Sequence, residues 1–232
     1  MSLAKILVVD DEPQMRRVLK ASLHAHDYEV VEASSGDEAL RKLDAESCDF
    51  VLLDLNLPGL DGMTACRRMR AASGVPIIVV SIRASERDKV AALHAGADDY
   101  ITKPFGVQEL LARVQAVTRR KPGAGRKQPA LVLDGVTVDF ETHQVTGSRG
   151  NGHLTPKEFE LLRYMVSHAG QVIPHRRLLQ AVWGAEYGDE VEYLRTFMNQ
   201  LRRKIEPDPH NPRFLITEPW AGYRFAPPDG GL

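Results

Sequence analysis

Residues 50–62 read FVLLDLNLPGLDG. Four apolar residues, Phe50 to Leu53, form a run too short for a helix and apolar at every position. Such a run predicts a strand covered on both faces. It ends directly in Asp54, and a carboxylate is costly to bury. Either the strand stops there and Asp54 surfaces at its tip, or the charge is held in place for chemistry. Pro58-Gly59 then marks a turn, and a helical pattern starts at Asp61.

Runs of the same kind flank this one: KILVVDD (5–11), YEVVEAS (28–34), PIIVVSI (76–82) and DDYITKP (98–104). Helical patterns lie between and after them at Pro13–His24, Gly36–Leu43, Asp61–Met69, Ser85–Ala95 and Val107–Thr118. Five strands alternating with five helices predict an α/β domain over residues 1–121, a flavodoxin-like doubly wound (βα)5 parallel sheet. RRKPGAGRKQPA (119–130) is rich in Gly, Pro and basic residues and lacks periodicity, which reads as a linker, set at 122–129. Beyond it the pattern changes. LVLDGVTVDFETHQVTGS (131–148) alternates with turn residues, as short antiparallel strands do. Helical patterns follow at Pro156–Ser167, Arg176–Val182 and Val191–Glu206, and FLITEPWAGYRF (214–225) reads as strand–turn–strand. Residues 130–226 are therefore expected to form a second, α+β domain, and 227–232 a disordered tail.

The formal net charge of −1 hides an uneven distribution. Residues 1–118 carry 14 Lys+Arg against 18 Asp+Glu, and residues 119–232 carry 16 against 13. The basic back half hints at nucleic-acid contact. Cys48 and Cys66 have no zinc-ligand spacing and sit in apolar patterns, as buried thiols of a reducing compartment do. The apolar run near the N-terminus is too short for a signal peptide and meets acids at once. No run approaches the ~20 apolar residues of a membrane span. A soluble, cytoplasmic protein without a membrane partner is expected.

In an open parallel sheet, ligands sit outside the carboxyl ends of the strands. There the first strand offers Asp10 and Asp11, the third Asp54, the fourth Ser81 and the fifth Lys103. Clustered carboxylates repel one another unless a cation neutralises them, and oxygen donors without His or Cys favour a hard ion, Mg²⁺ foremost. Asp54 is then the expected nucleophile, forming an aspartyl-phosphate, with Lys103 and the Ser81 hydroxyl on the phosphoryl oxygens. Pro104 suits a cis Lys103–Pro104 bond. Singly, Asp10-Asp11-Glu12 before Pro13 would serve as a helix cap, and Asp54 as a solvated turn residue. Five groups at successive strand ends are not accounted for by caps.

ILVVDDEP, LLDLNLPGLDG and GADDYITKPF together resemble the receiver domain of two-component response regulators, over about residues 3–121. The resemblance implies Asp54 as phospho-acceptor from a sensor histidine kinase. It implies Asp10, Asp11, Asp54 and the Asn56 carbonyl as Mg²⁺ ligands, and Ser81 with Tyr100 as a switch pair. Ile82 departs from the pattern, which usually has a small residue there. A rival reading is a Mg²⁺-dependent phosphohydrolase of the haloacid-dehalogenase type. That chemistry needs a second aspartate as general acid where this chain has Asn56.

In VEYLRTFMNQLRRKIE (191–206), Val191, Leu194, Met198, Leu201 and Ile205 form one apolar stripe. Arg195, Thr196, Asn199, Gln200, Arg202 and Arg203 occupy the other face, with side-chain types that read base edges in a major groove. A solvated charged face is the competing reading. His175, Arg176 and Arg177 open the preceding helical segment, as phosphate contacts would. LTPKEFELL, VWG, LRRKIEPDP and GYRF resemble the winged helix-turn-helix effector domain of OmpR/PhoB-type regulators. YLRTFMNQLRRKIEPDPHNPRFLITE resembles, within that family, the regulators of high-affinity potassium-transport operons. The hairpin lacks the arginine many such domains carry before its glycines. Trp220 is expected to pack on the hairpin base, and the wing to reach only the DNA backbone, through Arg224.

The resemblance also implies a phosphorylation-dependent homodimer through Lys89–Glu109, Asp99–Arg113 and Asp98–Arg120, a set that can be self-complementary. The expected function is a non-enzymatic, DNA-binding transcription regulator, with double-stranded DNA and, as a further partner, RNA polymerase. The alternative is an effector domain that binds protein instead of DNA.

Overall fold

The computed structural model describes residues 3–118, 130–147 and 150–228. The chain divides into two compact units, Met1–Lys121 and Pro122–Leu232. The segment read as a linker, 122–129, lies outside the described residues, as do residues 229–232 of the expected tail.

The first unit runs β1 (Lys5–Val9), α1 (Pro13–His24), β2 (Glu29–Ala33), α2 (Gly36–Ala45), β3 (Phe50–Leu53), α3 (Gly62–Ala72), β4 (Ile77–Ser81), α4 (Glu86–His94), β5 (Asp99–Thr102) and α5 (Val107–Thr118). The strands form one parallel sheet in the order β2-β1-β3-β4-β5. From β1 the chain winds to one side, into β2, and then to the other, through β3 to β5, so the crevice expected of such sheets opens between β1 and β3 at their carboxyl ends. Their register pairs Val9 with Leu53, which sets Asp10 beside Asp54. Ile6, Val8, Phe50, Leu52, Ile78, Val80 and Ile101 pack with Leu19, Leu23, Leu110 and Val114 in one buried cluster. Ser35, Asp61 and Ser85 cap α2, α3 and α4 by accepting from backbone N–H groups of the first turn. Two helices outrun the sequence pattern, ending at Ala45 and Ala72 instead of Leu43 and Met69. Alanine continues a helix without contributing to an apolar stripe.

Gly62 fixes the loop that follows Asp54. A Cβ there would stand 2.4 Å from the Asp54 carbonyl oxygen and 2.4 Å from the Leu55 Cα. Cys66 is buried, and burial pushes its thiol up to about 12. Cys48, expected to be buried as well, is only half-buried.

The second unit begins with β6 (Leu131–Leu133), β7 (Val136–Val138), β8 (Gln144–Gly147) and β9 (Gly150–His153), an antiparallel sheet in chain order. Then come α6 (Pro156–Ser167), β10 (Val172–Pro174), α7 (His175–Trp183), α8 (Val191–Ile205), β11 (Leu215–Glu218) and β12 (Gly222–Phe225). β10 joins the closing hairpin in a three-stranded sheet ordered β10-β12-β11. Thr155 and Glu158 form a reciprocal capping box at α6. Trp183 is fully buried against Phe197, at 5.1 Å between ring centroids. The buried Lys157 ammonium lies 5.3 Å from the Trp183 ring and donates to the Val182 carbonyl at 2.6 Å. Glu206 is buried, and its carboxylate accepts from the backbone of Arg213, Phe214 and Leu215 at 2.6–2.9 Å. It thereby anchors the start of β11 to the end of α8.

Candidate functional site

Asp54 is the first residue after β3, and only 5% exposed. The strand stops there and the charge is also held in place. The Asp54 N–H donates to the Val9 carbonyl at 2.9 Å, continuing the ladder one residue past the strand. Its Oδ1 accepts from the Asn56 N–H at 2.9 Å, and its Oδ2 from Lys103 Nζ at 2.6 Å. Lys103 Nζ also reaches Asp10 Oδ2 at 2.8 Å. Burial works against the lysine charge, but the hydrogen bonds to Asp10 and Asp54 outweigh it and raise the Lys103 pKa. The ammonium therefore stays protonated at physiological pH. Asp10 is buried and Asp11 exposed, and one carboxylate oxygen from each of Asp10, Asp11 and Asp54 lies within 4.8 Å of the others. Asp10 Oδ1 accepts from the Glu12 N–H, while Arg16 donates to the carbonyls of Asp10 and Asp11. This loop is held by backbone contacts, which leaves the Asp11 carboxylate at the exposed side of the cluster. Hard oxygen donors of this number fit a divalent Mg²⁺-type ion.

Ser81 closes β4 and is fully buried, and the Lys103 N–H donates to its carbonyl at 2.8 Å. The Lys103–Pro104 peptide is cis. Tyr100 is turned inward: it is 3% exposed and its hydroxyl donates to the Arg83 carbonyl at 2.5 Å. Burial raises the Tyr100 pKa. Arg83 is a residue that sequence reasoning missed. Its N–H reaches Ser81 Oγ at 3.4 Å and its Nε donates to Asn56 Oδ1 at 3.2 Å. It thus ties together the residue two places after Asp54, the Ser81 hydroxyl and Tyr100. Ile82 is exposed.

Two of the residues expected on the charged face are buried within the chain. Asp98, expected to face a partner chain, is fully buried: Arg70 donates to its Oδ2 at 2.5 Å and the Ile77 N–H at 2.9 Å. A buried carboxylate needs such donors, and they bind it to α3 and β4. Asp99 is also buried, and Arg113 pairs with it at 3.2 Å and with Glu109 at 3.0 Å within the same chain. Glu109 is exposed and Lys89 half-buried. Arg120 lies outside the described residues.

In the second unit, α8 presents Arg195, Asn199 and Arg203 to solvent at four-residue spacing. Gln200 is half-buried. Thr196, expected on this face, is only 3% exposed and packs with the core stripe. Arg202 is likewise drawn inward. It donates to the Leu215 carbonyl at 2.6 and 3.0 Å and to Thr217 Oγ1 at 2.7 Å, and it lies over the Tyr223 ring. It straps the hairpin to α8 and does not reach outward to bases. His175 sits edge-to-face on Tyr223, and burial followed by the nearby Arg195 charge lowers its pKa, so at neutral pH it is uncharged. Arg177 bonds the Tyr164 hydroxyl at 3.0 Å and Arg176 packs near Gly188, while Arg195 pairs with Glu192. Arg224 pairs with Glu218 at 2.8 Å across the hairpin. Trp220, expected against the hairpin base, is instead fully exposed at its tip.

Two family models match the chain: "Response regulator receiver domain" over residues 6–115 and "Transcriptional regulatory protein, C terminal" over residues 149–225. The transcriptional regulatory protein KdpE of Mycobacterium tuberculosis (strain ATCC 25618 / H37Rv) is 43% identical, covering 95% of this chain and 98% of the relative. The KDP operon transcriptional regulatory protein KdpE of Escherichia coli (strain K12) is 41% identical, covering 96% and 99%. Among solved structures, the response regulator DrrB of Thermotoga maritima, described as an OmpR/PhoB homologue, superposes with a TM-score of 0.52 at 29% identity, over 97% of this chain and 100% of that one. No helix among the described residues is long and apolar enough to cross a membrane. The first unit is thus a receiver domain, the second a winged-helix DNA-binding domain, and the chain belongs to the OmpR/PhoB family of two-component response regulators.

Proposed function

We propose that the chain is a phosphorylation-controlled transcription regulator of potassium-transport genes. The observation that carries the phosphorylation step is the Asp10–Asp11–Asp54 cluster with Lys103 bridging two of its members. An Asp54 carboxylate oxygen attacks the phosphorus of a phosphohistidine on a sensor kinase. The P–N bond breaks, the histidine leaves with the bonding pair, and an acyl phosphate remains on Asp54. Lys103, permanently charged, offsets the negative charge that gathers on the phosphoryl oxygens. The Ser81 hydroxyl donates to one of them. Asp10, Asp11, Asp54 and the Asn56 carbonyl would hold Mg²⁺, whose chemistry here is neutralisation of phosphoryl charge.

The chain carries no further catalytic machinery in this reading and turns over no substrate of its own. Phosphorylation promotes a homodimer through the face that carries Lys89, Asp99, Glu109 and Arg113. Dimerisation pairs two DNA-binding domains on two half-sites, where Arg195, Asn199 and Arg203 read the major groove. Arg176, Arg177 and Gln200 border that face. The protein acts in the cytoplasm with a sensor kinase, duplex DNA and RNA polymerase as partners. The potassium assignment rests on the two KdpE relatives.

The test is labelling with acetyl phosphate and Mg²⁺. The wild type takes up one phosphoryl group, and Asp54→Asn takes up none while keeping its thermal midpoint. Undiminished labelling of Asp54→Asn would remove Asp54 from this role.

A further inference from the structure

Trp220 occupies the tip of the β11–β12 hairpin in a conformation that works against it. Its φ is +64°, a left-handed value that is uncommon for any side chain and an outlier for a bulky one. Its side chain is fully exposed. An indole in water forgoes the burial that normally stabilises it, and the backbone strain adds to that cost. Neither is compensated by a ring contact among the described residues. Residues held at such a disadvantage cluster at binding sites.

The surroundings indicate the occupant. The hairpin is fixed against α8 by the three Arg202 bonds and by Glu206 at the start of β11. The tip thus keeps a set position relative to Arg195, Asn199 and Arg203. On the helix to which the hairpin is strapped, Arg195, Asn199 and Arg203 stand exposed, a polar and cationic face that suits a polyanion. The one carboxylate of the hairpin, Glu218, is neutralised by Arg224. A duplex can therefore approach the tip without like-charge repulsion.

We propose that Trp220 enters the DNA minor groove beside each half-site, packing its indole against the deoxyribose wall. The ring offers an apolar face for the sugar and one N–H for an acceptor on the groove edge. Apolar side chains act in this way in other minor-groove binders. Trp220 therefore gives this wing a minor-groove contact that a backbone-only reading through Arg224 does not include.

The test uses the full chain, phosphorylated with acetyl phosphate, and a duplex that the chain itself selects from a random pool. Trp183 is 1% exposed and Trp220 fully exposed, so acrylamide quenching of intrinsic emission reports on Trp220. In the complex, quenching should fall severalfold. Trp220→Gly, which suits the left-handed backbone and should leave the thermal midpoint unchanged or raised, should weaken binding by about tenfold, the equivalent of roughly 1.4 kcal/mol. Trp220→Phe should retain most of the affinity. Replacing flanking adenines by 2,6-diaminopurine fills the groove floor with an amino group. It should weaken the wild type and leave Trp220→Gly unaffected. Unchanged affinity in Trp220→Gly, or equal quenching free and bound, overturns the proposal. So does a variant that binds DNA normally but fails to activate transcription with RNA polymerase, which would assign the indole to a protein partner. If the wild type retains no duplex even at low salt, DNA recognition itself fails, a result distinct from failure of Trp220 alone.

Discussion

Asp10 and Asp11 adjoin in sequence, yet the structure gives them different environments. Asp10 is buried and shares Lys103 with Asp54, whereas Asp11 stands at the exposed side of the same carboxylate cluster. Asp11→Asn should therefore leave the fold untouched and raise the midpoint of a Mg²⁺ titration by about tenfold or more, on the scale of losing a supporting metal contact. Calorimetry checks it, and an unchanged midpoint would exclude Asp11 as a ligand. Asp10, Asp54, Ser81 and Lys103 were legible in the sequence because each sits at a strand end, and the parallel topology brings strand ends together. Arg83 was not legible. It is an exposed arginine in a loop, and only the distances to Asn56, Ser81 and Tyr100 give it a role. Asp98 misled for the opposite reason: an acid beside another acid reads as surface, and the arginine that buries it lies 28 residues away in sequence.

At the level of elements, α8 and the hairpin behave as one piece. Arg202→Ala would leave the Leu215 carbonyl and the Thr217 hydroxyl without this donor, so the second domain should lose about 1–3 kcal/mol of stability. Arg203→Ala, at an exposed position, should leave the melting curve unchanged and weaken DNA binding. Thermal melting beside a binding assay separates the two, and equal melting of both variants would remove the strap role from Arg202. Periodicity located α8 and its stripe, but Thr196 and Arg202 stand on the flanks of that stripe. There a difference of one helical position decides between core and solvent. β10 escaped the reading entirely, because three residues ending in a proline carry no alternation that a pattern can use. Its pairing depends on Gly222, where a Cβ would stand 2.0 Å from the Ile173 carbonyl oxygen.

At the scale of the whole molecule, the dimer is the central expectation. Arg113→Glu should keep the phosphorylated chain monomeric in sedimentation, because it reverses the charge beside Asp99 and Glu109. A variant that dimerises normally would place the interface elsewhere. Acid sensitivity should be uneven between the domains. Burial lowers the pKa of both His143 and His175, and both belong to the second domain. A histidine held neutral in the fold but free to take a proton when unfolded destabilises the domain as pH drops below the ordinary value of 6.5. The second domain should therefore melt at a lower temperature at pH 5.5 than at pH 7.5, and His175→Gln should shrink that difference. The alternation of strands and helices, and the change of pattern beyond residue 130, were open to sequence reasoning, since both span many residues. The inward Tyr100 was not, because nothing in a sequence records a rotamer. That rotamer bears on regulation. An inward Tyr100 suits a two-state receiver, in which modification of Asp54 selects between arrangements of the ring and need not create a new one. The range of the response is then bounded by how much more tightly the phosphoryl group holds one arrangement than the other. Promoters under this regulator would retain a measurable basal output when the sensor kinase is absent.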